Sequence, residues 1–189
     1  MTDALALLKT RRSVKPDQLS GPPPTAEDLD TMLGIAARVP DHGKLVPWRF
    51  IVFEGDHREE AGAAIASAYA AKYPDASGDQ IYFETNRLAR APVVVAVVSS
   101  PVESQKIPAW EQQLSGAAAA QNLLLAAHAL GYAACWLTEW FAYDAQVMRA
   151  FGLEEHERFI GFVHIGRFAG TPEDRARPAL ADIVTRFEA

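Results

Sequence analysis

Apolar residues recur at helical intervals after Thr25: Leu29, Met32, Leu33 and Ala36 share one face, and Thr25 with Asp28 has capping-box spacing. The pattern predicts an amphipathic helix over Thr25–Val39, ended by Pro40-Asp41-His42-Gly43. Arg49–Glu54 alternates around Phe50, Ile51 and Val52 and reads as a strand. Asp56 to about Lys72 reads as an alanine-rich helix with Asp56 as its cap. A looser segment, Tyr73–Gly78, precedes a further helix near Asp79–Arg90. Pro92 then introduces Val93-Val94-Val95-Ala96-Val97-Val98, a continuous apolar run of the kind buried on both faces, which places it in mid-sheet.

From Ser115 to Leu130 the chain is strongly helical and apolar on nearly every side, with Gly131 beyond its end. Such a helix needs covering all round. In so short a chain a second subunit is an obvious source of cover, and the small residues Gly116–Ala120 would let another helix come close. Strands are predicted at Tyr132–Thr138 and Phe159–Ile165, with a short helix at Asp144–Phe151 between them. The tail, Gly170–Ala189, is rich in proline and charge until Ile183-Val184. With no repeat, low-complexity tract or linker, residues 1–189 read as a single α/β domain whose strands are separated by helices.

Composition narrows the function. The chain is 49% hydrophobic and 22% charged, the balance of a protein that folds around an apolar core. Its net charge of −6 argues against a general nucleic-acid binder, so any phosphate must be met by a local cluster of cations. No run of 18 apolar residues and no signal-type N-terminus occurs, so the expectation is a cytoplasmic protein without a membrane partner. Cys135, the single cysteine, sits in an apolar run and reads as a buried structural thiol. There is no G-x-G-x-x-G, no G-x-x-x-x-G-K-[ST] and no H-E-x-x-H, which removes Rossmann, P-loop and zincin readings. No metal site is expected.

Two polar segments carry candidate chemistry. Leu7–Lys15 places basic residues at the end of a short helix that begins near Asp3. Those cations can simply offset the helix dipole; alternatively Arg11 forks around a phosphate while Ser13 and Lys15 reach a polar ring edge. Arg38–Trp48 is a turn that presents Arg38, His42 and Lys44 just before a strand, either as a solvated connection or as part of a site.

The order of motifs resembles the nitroreductase family. Arg11-Arg12-Ser13-x-Lys15 follows a short helix; Ala37-Arg38-x-Pro40 ends another; Pro47-Trp48-x-Phe50-x-Val52 comes next. The likeness continues through Ile107–Gln112, Gln121-Asn122 on the alanine-rich helix, Gly131-Tyr132-x-x-x-Trp136 and Phe159-Ile160-Gly161-Phe162-x-x-Ile165-Gly166. It is nearest the compact branch, with Pro40-Asp41-His42 replacing a serine-containing turn. The resemblance implies an α+β fold, a mixed central sheet flanked by helices in an intertwined homodimer, and FMN bound where the subunits meet. It assigns Arg11, Arg12, Ser13 and Lys15 to the cofactor site of one subunit, and Arg38 and His42 to the contribution of its partner. It sets Trp136, Leu137 and Thr138 beside the isoalloxazine and makes Arg177 a C-terminal phosphate ligand, although the compact branch often lacks that arginine. The implied activity is two-electron transfer from NAD(P)H to a nitroaromatic, quinone or related small-molecule acceptor by a ping-pong mechanism. No catalytic side chain is needed, because FMN carries the chemistry. The alternatives are a noncatalytic flavin carrier or sensor, and a relative that uses reduced FMN for dehalogenation or flavin fragmentation. Trp110 and Glu111 read either as acceptor-pocket residues or as a core aromatic and a first-turn helix carboxylate.

Overall fold

The valine run lies where its pattern places it: β2 (Val93–Ser99) is an interior strand with every residue buried. The computed structural model describes residues 3–188. Its other strands are β1 (Trp48–Glu54), β3 (Ala133–Leu137) and β4 (Arg158–Gly166), and one four-stranded sheet has the order β1-β2-β4-β3. The helices are α1 (Ala4–Thr10), α2 (Ala26–Ala36), α3 (His57–Lys72), α4 (Gly78–Thr85), α5 (Ala109–Ala129), α6 (Ala145–Ala150) and α7 (Leu180–Ile183).

Connection geometry explains the strand directions. Two helices, α3 and α4, join β1 to β2 and leave the chain at the far end of the sheet, so these strands pair antiparallel. One helix, α5, joins β2 to β3 and returns the chain, so these two share a direction. β4 then inserts between them, antiparallel to both. Every strand pair among the described residues is therefore antiparallel, where the resemblance implied a mixed sheet; the α+β class itself holds.

Both sheet faces are covered, which is why β2 needs no polar alternation. On one face Val94, Ala96, Val98 and Phe162 pack with Ile65 of α3 and Val147 of α6. On the other, Val93, Val95, Val97 and Val163 pack with Met32 of α2 and Leu123 of α5. α3 and α4 touch so closely at Gly62 that a Cβ there would lie 1.7 Å from the Thr85 carbonyl oxygen.

Several boundaries differ from the expected ones for local reasons. α5 starts at Ala109 because Pro108 is its N-cap residue, and the buried Gln112 amide ties this first turn to Val102 and Ile107. Gly116 approaches Ile160 of the chain's own sheet rather than another helix. Asp56 does not cap α3 with its side chain; its carbonyl accepts from Glu59 and Glu60. Thr25 caps α2 through the Asp28 N–H, but the helix closes at Ala36, ahead of Pro40. Helix α4 stops at Thr85, and turns carry the chain on to Arg90. Neither α1 nor α7 buries any residue, and Leu5, Leu8, Leu180 and Ile183 are exposed, as is Phe187 at 93%.

Candidate functional site

β3 is an edge strand, and the segment 11–15 runs beside it: the Val14 N–H donates to the Ala134 carbonyl at 3.3 Å. At the end of α5 the His128 ring lies between the Leu124 and Arg12 carbonyl oxygens, at 2.7 and 2.9 Å. These ties set Arg11, Arg12 and Ser13 against the sheet. Arg11 is partly buried, and its guanidinium is 3.5 Å from Ser13 Oγ. Burial, followed by the positive charges of Arg177, Arg12 and Arg175, holds Arg11 below the ordinary arginine basicity.

Four guanidiniums thus converge in a chain whose net charge is negative. Asp174 offsets part of this charge, 3.6 Å from Arg12 Nε and 3.4 Å from Arg177 Nη2, but Arg11 has no carboxylate partner among the described residues. A phosphate dianion would relieve that repulsion and use the fork of Arg11, so the residues present fit the phosphate of FMN. Arg175 was missed by the sequence reading. Its signal was Arg175-Ala176-Arg177, since residues two apart point the same way in extended backbone. Lys15 is exposed just before the turn at Pro16–Gln18.

The cleft beside Arg11 and Arg12, also lined by Val14, Tyr132 and Phe168, measures about 260 Å³. A larger cleft of about 540 Å³ lies by α6, around Met148, Arg149 and Arg158, and contains none of the expected site residues.

Trp136, Leu137 and Thr138 occupy the end of β3 and the residue after it. The Trp136 indole N–H donates to the Ile160 carbonyl at 3.3 Å and lies across Gly161, whose absent side chain makes that contact possible. Cys135 is buried, and burial raises its thiol above the ordinary range. Across the ladder His164 is fully buried, and burial lowers its imidazole to about 4, which keeps it neutral.

The turn carrying Arg38 and His42 is strained. Lys44 and Val46 have φ of 54° and 49°, a region that a β-branched residue rarely enters. The Asp41 carboxylate holds this shape by accepting from the Leu45 and Val46 N–H groups at 3.1 and 2.9 Å. Three bonds fasten the turn to α5: Ser115 Oγ to the Pro40 carbonyl at 2.5 Å, Asn122 to the Arg38 carbonyl at 2.9 Å, and His42 Nδ1 with Glu111 at 2.8 Å. Trp110 is 67% exposed, so the core-aromatic alternative is excluded.

These two groups do not meet within one chain. His42 is attached at Glu111 and Arg12 at His128, and the stretch of helix between these two positions spans roughly 26 Å at about 1.5 Å per residue. Arg38 lies between, at Asn122. Among the described residues no group of His, Cys, Asp or Glu could hold a metal ion, and no helix is long and apolar enough to cross a membrane.

An antiparallel sheet covered by α2 and α5 on one face and α3 and α6 on the other, with an arginine cluster at its β3 edge, is the nitroreductase-like α+β fold. The model of the Nitroreductase family matches residues 8–167, and the chain belongs to that family. It is similar to the provisionally named NAD(P)H nitroreductase YdjA of Escherichia coli (strain K12), at 35% identity over 94% of this chain and 93% of that protein. Its structure resembles a nitroreductase-like family protein from Bacillus cereus, with a TM-score of 0.85, 23% identity and coverage of 100% and 98%. It also resembles a nitroreductase with bound FMN from Bacteroides fragilis NCTC 9343, with a TM-score of 0.69, 23% identity and full coverage of both chains.

Proposed function

We propose that this protein is an FMN-dependent oxidoreductase that takes two electrons from NAD(P)H and passes them to a nitroaromatic, quinone or related organic acceptor by a ping-pong mechanism. The observation that carries the reading is that Arg11 and Arg12 line one cleft beside the β3 edge, with Asp174 holding Arg177 near Arg12 and the positive charges of Arg12, Arg175 and Arg177 felt at Arg11. Bound flavin would supply the hydride and electron chemistry, so the protein's tasks are to hold, orient and shield it. Arg11, Arg12, Ser13 and Arg177 take the phosphate; Lys15 supplies positive charge at the polar ring edge; Trp136, Leu137 and Thr138 lie beside the ring.

The remaining part of the site comes from a second copy of the chain. Two antiparallel α5 helices related by a two-fold axis would bring the His42 end of one to the Arg12 end of the other, closing the roughly 26 Å gap. The outer face of α5 suits that contact, with Trp110 and Leu114 exposed and Leu125 partly so. The uncovered apolar residues of α1 and of the tail supply further area for an intertwined dimer.

A purified sample is expected to be yellow and to release FMN on denaturation, and anaerobic NADH or NADPH should bleach it. Release of FAD, or no binding of added FMN, would overturn the cofactor assignment. Binding without bleaching would favour a flavin carrier or sensor instead. Bleaching without turnover of nitro compounds or quinones would favour dehalogenation or flavin fragmentation.

A further inference from the structure

Glu139 follows directly on the strand-end segment Trp136–Thr138, which the β4 ladder and the Trp136 indole hold as far as Leu137, and it ties the residues just past the ladder to α4 and the turns after it. Arg87 Nη1 donates to Glu139 Oε1 at 2.6 Å, and Arg90 Nη2 donates to Oε2 at 2.5 Å. Arg87 also forks onto Glu84, with Nε to Oε2 at 2.8 Å and Nη2 to Oε1 at 2.7 Å. The Trp140 indole N–H donates to the same Glu84 at 2.9 Å, and Arg90 Nε donates to the Arg87 carbonyl at 2.9 Å. All four charged side chains are at most 20% exposed. The result is a neutral chain of two guanidiniums and two carboxylates running from α4 to Glu139, two residues past the end of β3.

Buried ion pairs lose to desolvation much of what attraction returns, so stability alone is a poor reason for such a network. What it supplies is fixed geometry. β3 is an edge strand whose ladder to β4 ends at Leu137, opposite Phe162, and Val14 touches its free side only near its start; Thr138 and Glu139 lie in the interval between that ladder and the buried Phe141.

We propose that Arg87 and Arg90, acting through Glu139, are positioning residues that set the backbone of Leu137–Thr138 against the ring of the bound flavin. The inference rests on the FMN reading above. Backbone N–H groups weaken steeply as donors when distance and angle drift, so a loosened strand end presents them poorly. The reactivity of the flavin should suffer before its affinity does, because the phosphate anchors lie elsewhere.

The test uses the full-length protein with Glu139→Gln, which keeps the side chain's shape and removes its charge, and with Arg90→Lys, which keeps charge and removes the fork. Three readouts are needed: hydrogen exchange of the apoprotein over residues 136–140, the Kd for added FMN, and the midpoint potential of bound FMN. In both variants, exchange across 136–140 is expected to rise about tenfold relative to β2, and the potential to fall. The Kd for FMN should stay within about threefold, as for loss of one weak contact. Arg90→Lys should show the smaller change, since lysine restores one of the lost contacts. Unchanged exchange and potential in a folded variant would overturn the inference, as would a loss of affinity that accounts for the whole effect. If the unmodified protein binds no FMN, the cofactor reading fails, and the exchange measurement still judges whether Glu139 fastens the strand end.

Discussion

Arg11 has three like charges for neighbours and a serine hydroxyl at the edge of hydrogen-bonding distance. Replacing it with alanine is expected to weaken FMN binding by about 2 kcal/mol, the scale of a charge-assisted hydrogen bond to an anion. Lys9, in the last turn of α1, bears the same charge without joining the cluster, so Lys9→Ala should change the Kd little. Equal losses from both variants in a fluorescence titration would restore the helix-dipole explanation. At this scale the sequence was informative where a motif is local. Arg11-Arg12-Ser13 is contiguous, and the structure gathers it. Glu139 was illegible for a physical reason: it acquires meaning only from Arg87 and Arg90, more than 40 residues away, whereas Arg175 had a local signal in its spacing from Arg177. Trp110 was ambiguous because a tryptophan beside a helix start serves equally in a core or at a surface; exposure decided it.

Elements were legible wherever one periodicity dominated. The Val93–Val98 run had one sensible place, and Thr25 does cap its helix, whereas Asp56 does not cap α3 with its side chain. Sheet direction was not legible, because it depends on the strand order, in which β4 inserts between β2 and β3. Nor was the lock between Arg49 of β1 and the buried Glu157 just before β4, which meet through two bonds of 2.7 Å. Those bonds hold the Glu157 carboxyl down at about 2, against an ordinary 4.5. A carboxyl depressed in the folded state contributes stability that is fully present above pH 4.5 and lost as pH falls toward 2. After discounting for solvent around the partly exposed Arg49, that contribution is on the order of 2 kcal/mol. Urea melts of Glu157→Gln should lack this acid-sensitive component, and should be less stable than the unmodified protein at neutral pH. Identical pH profiles for the two proteins would show that the pair contributes no linkage.

At the scale of the whole molecule, one chain carries the His42 and Arg12 groups at different positions along α5, which the proposed function reads as two half-sites. The sequence suggested this division only through a family resemblance, since nothing in Arg38 or His42 itself says which subunit it serves. The long helix, the strained turn at one end and the arginine cluster near the other supply the physical argument for a second copy. The most direct test is subunit complementation. Arg11→Ala chains and Arg38→Ala/His42→Ala chains, carrying different tags, are combined, and the purified heterodimer is titrated with FMN. If each site draws on both subunits, one site of the heterodimer is intact and the other carries every lesion, so one tightly bound FMN per dimer is expected although neither parent homodimer binds tightly. A heterodimer that binds FMN no better than its parents would contradict a site shared between two chains.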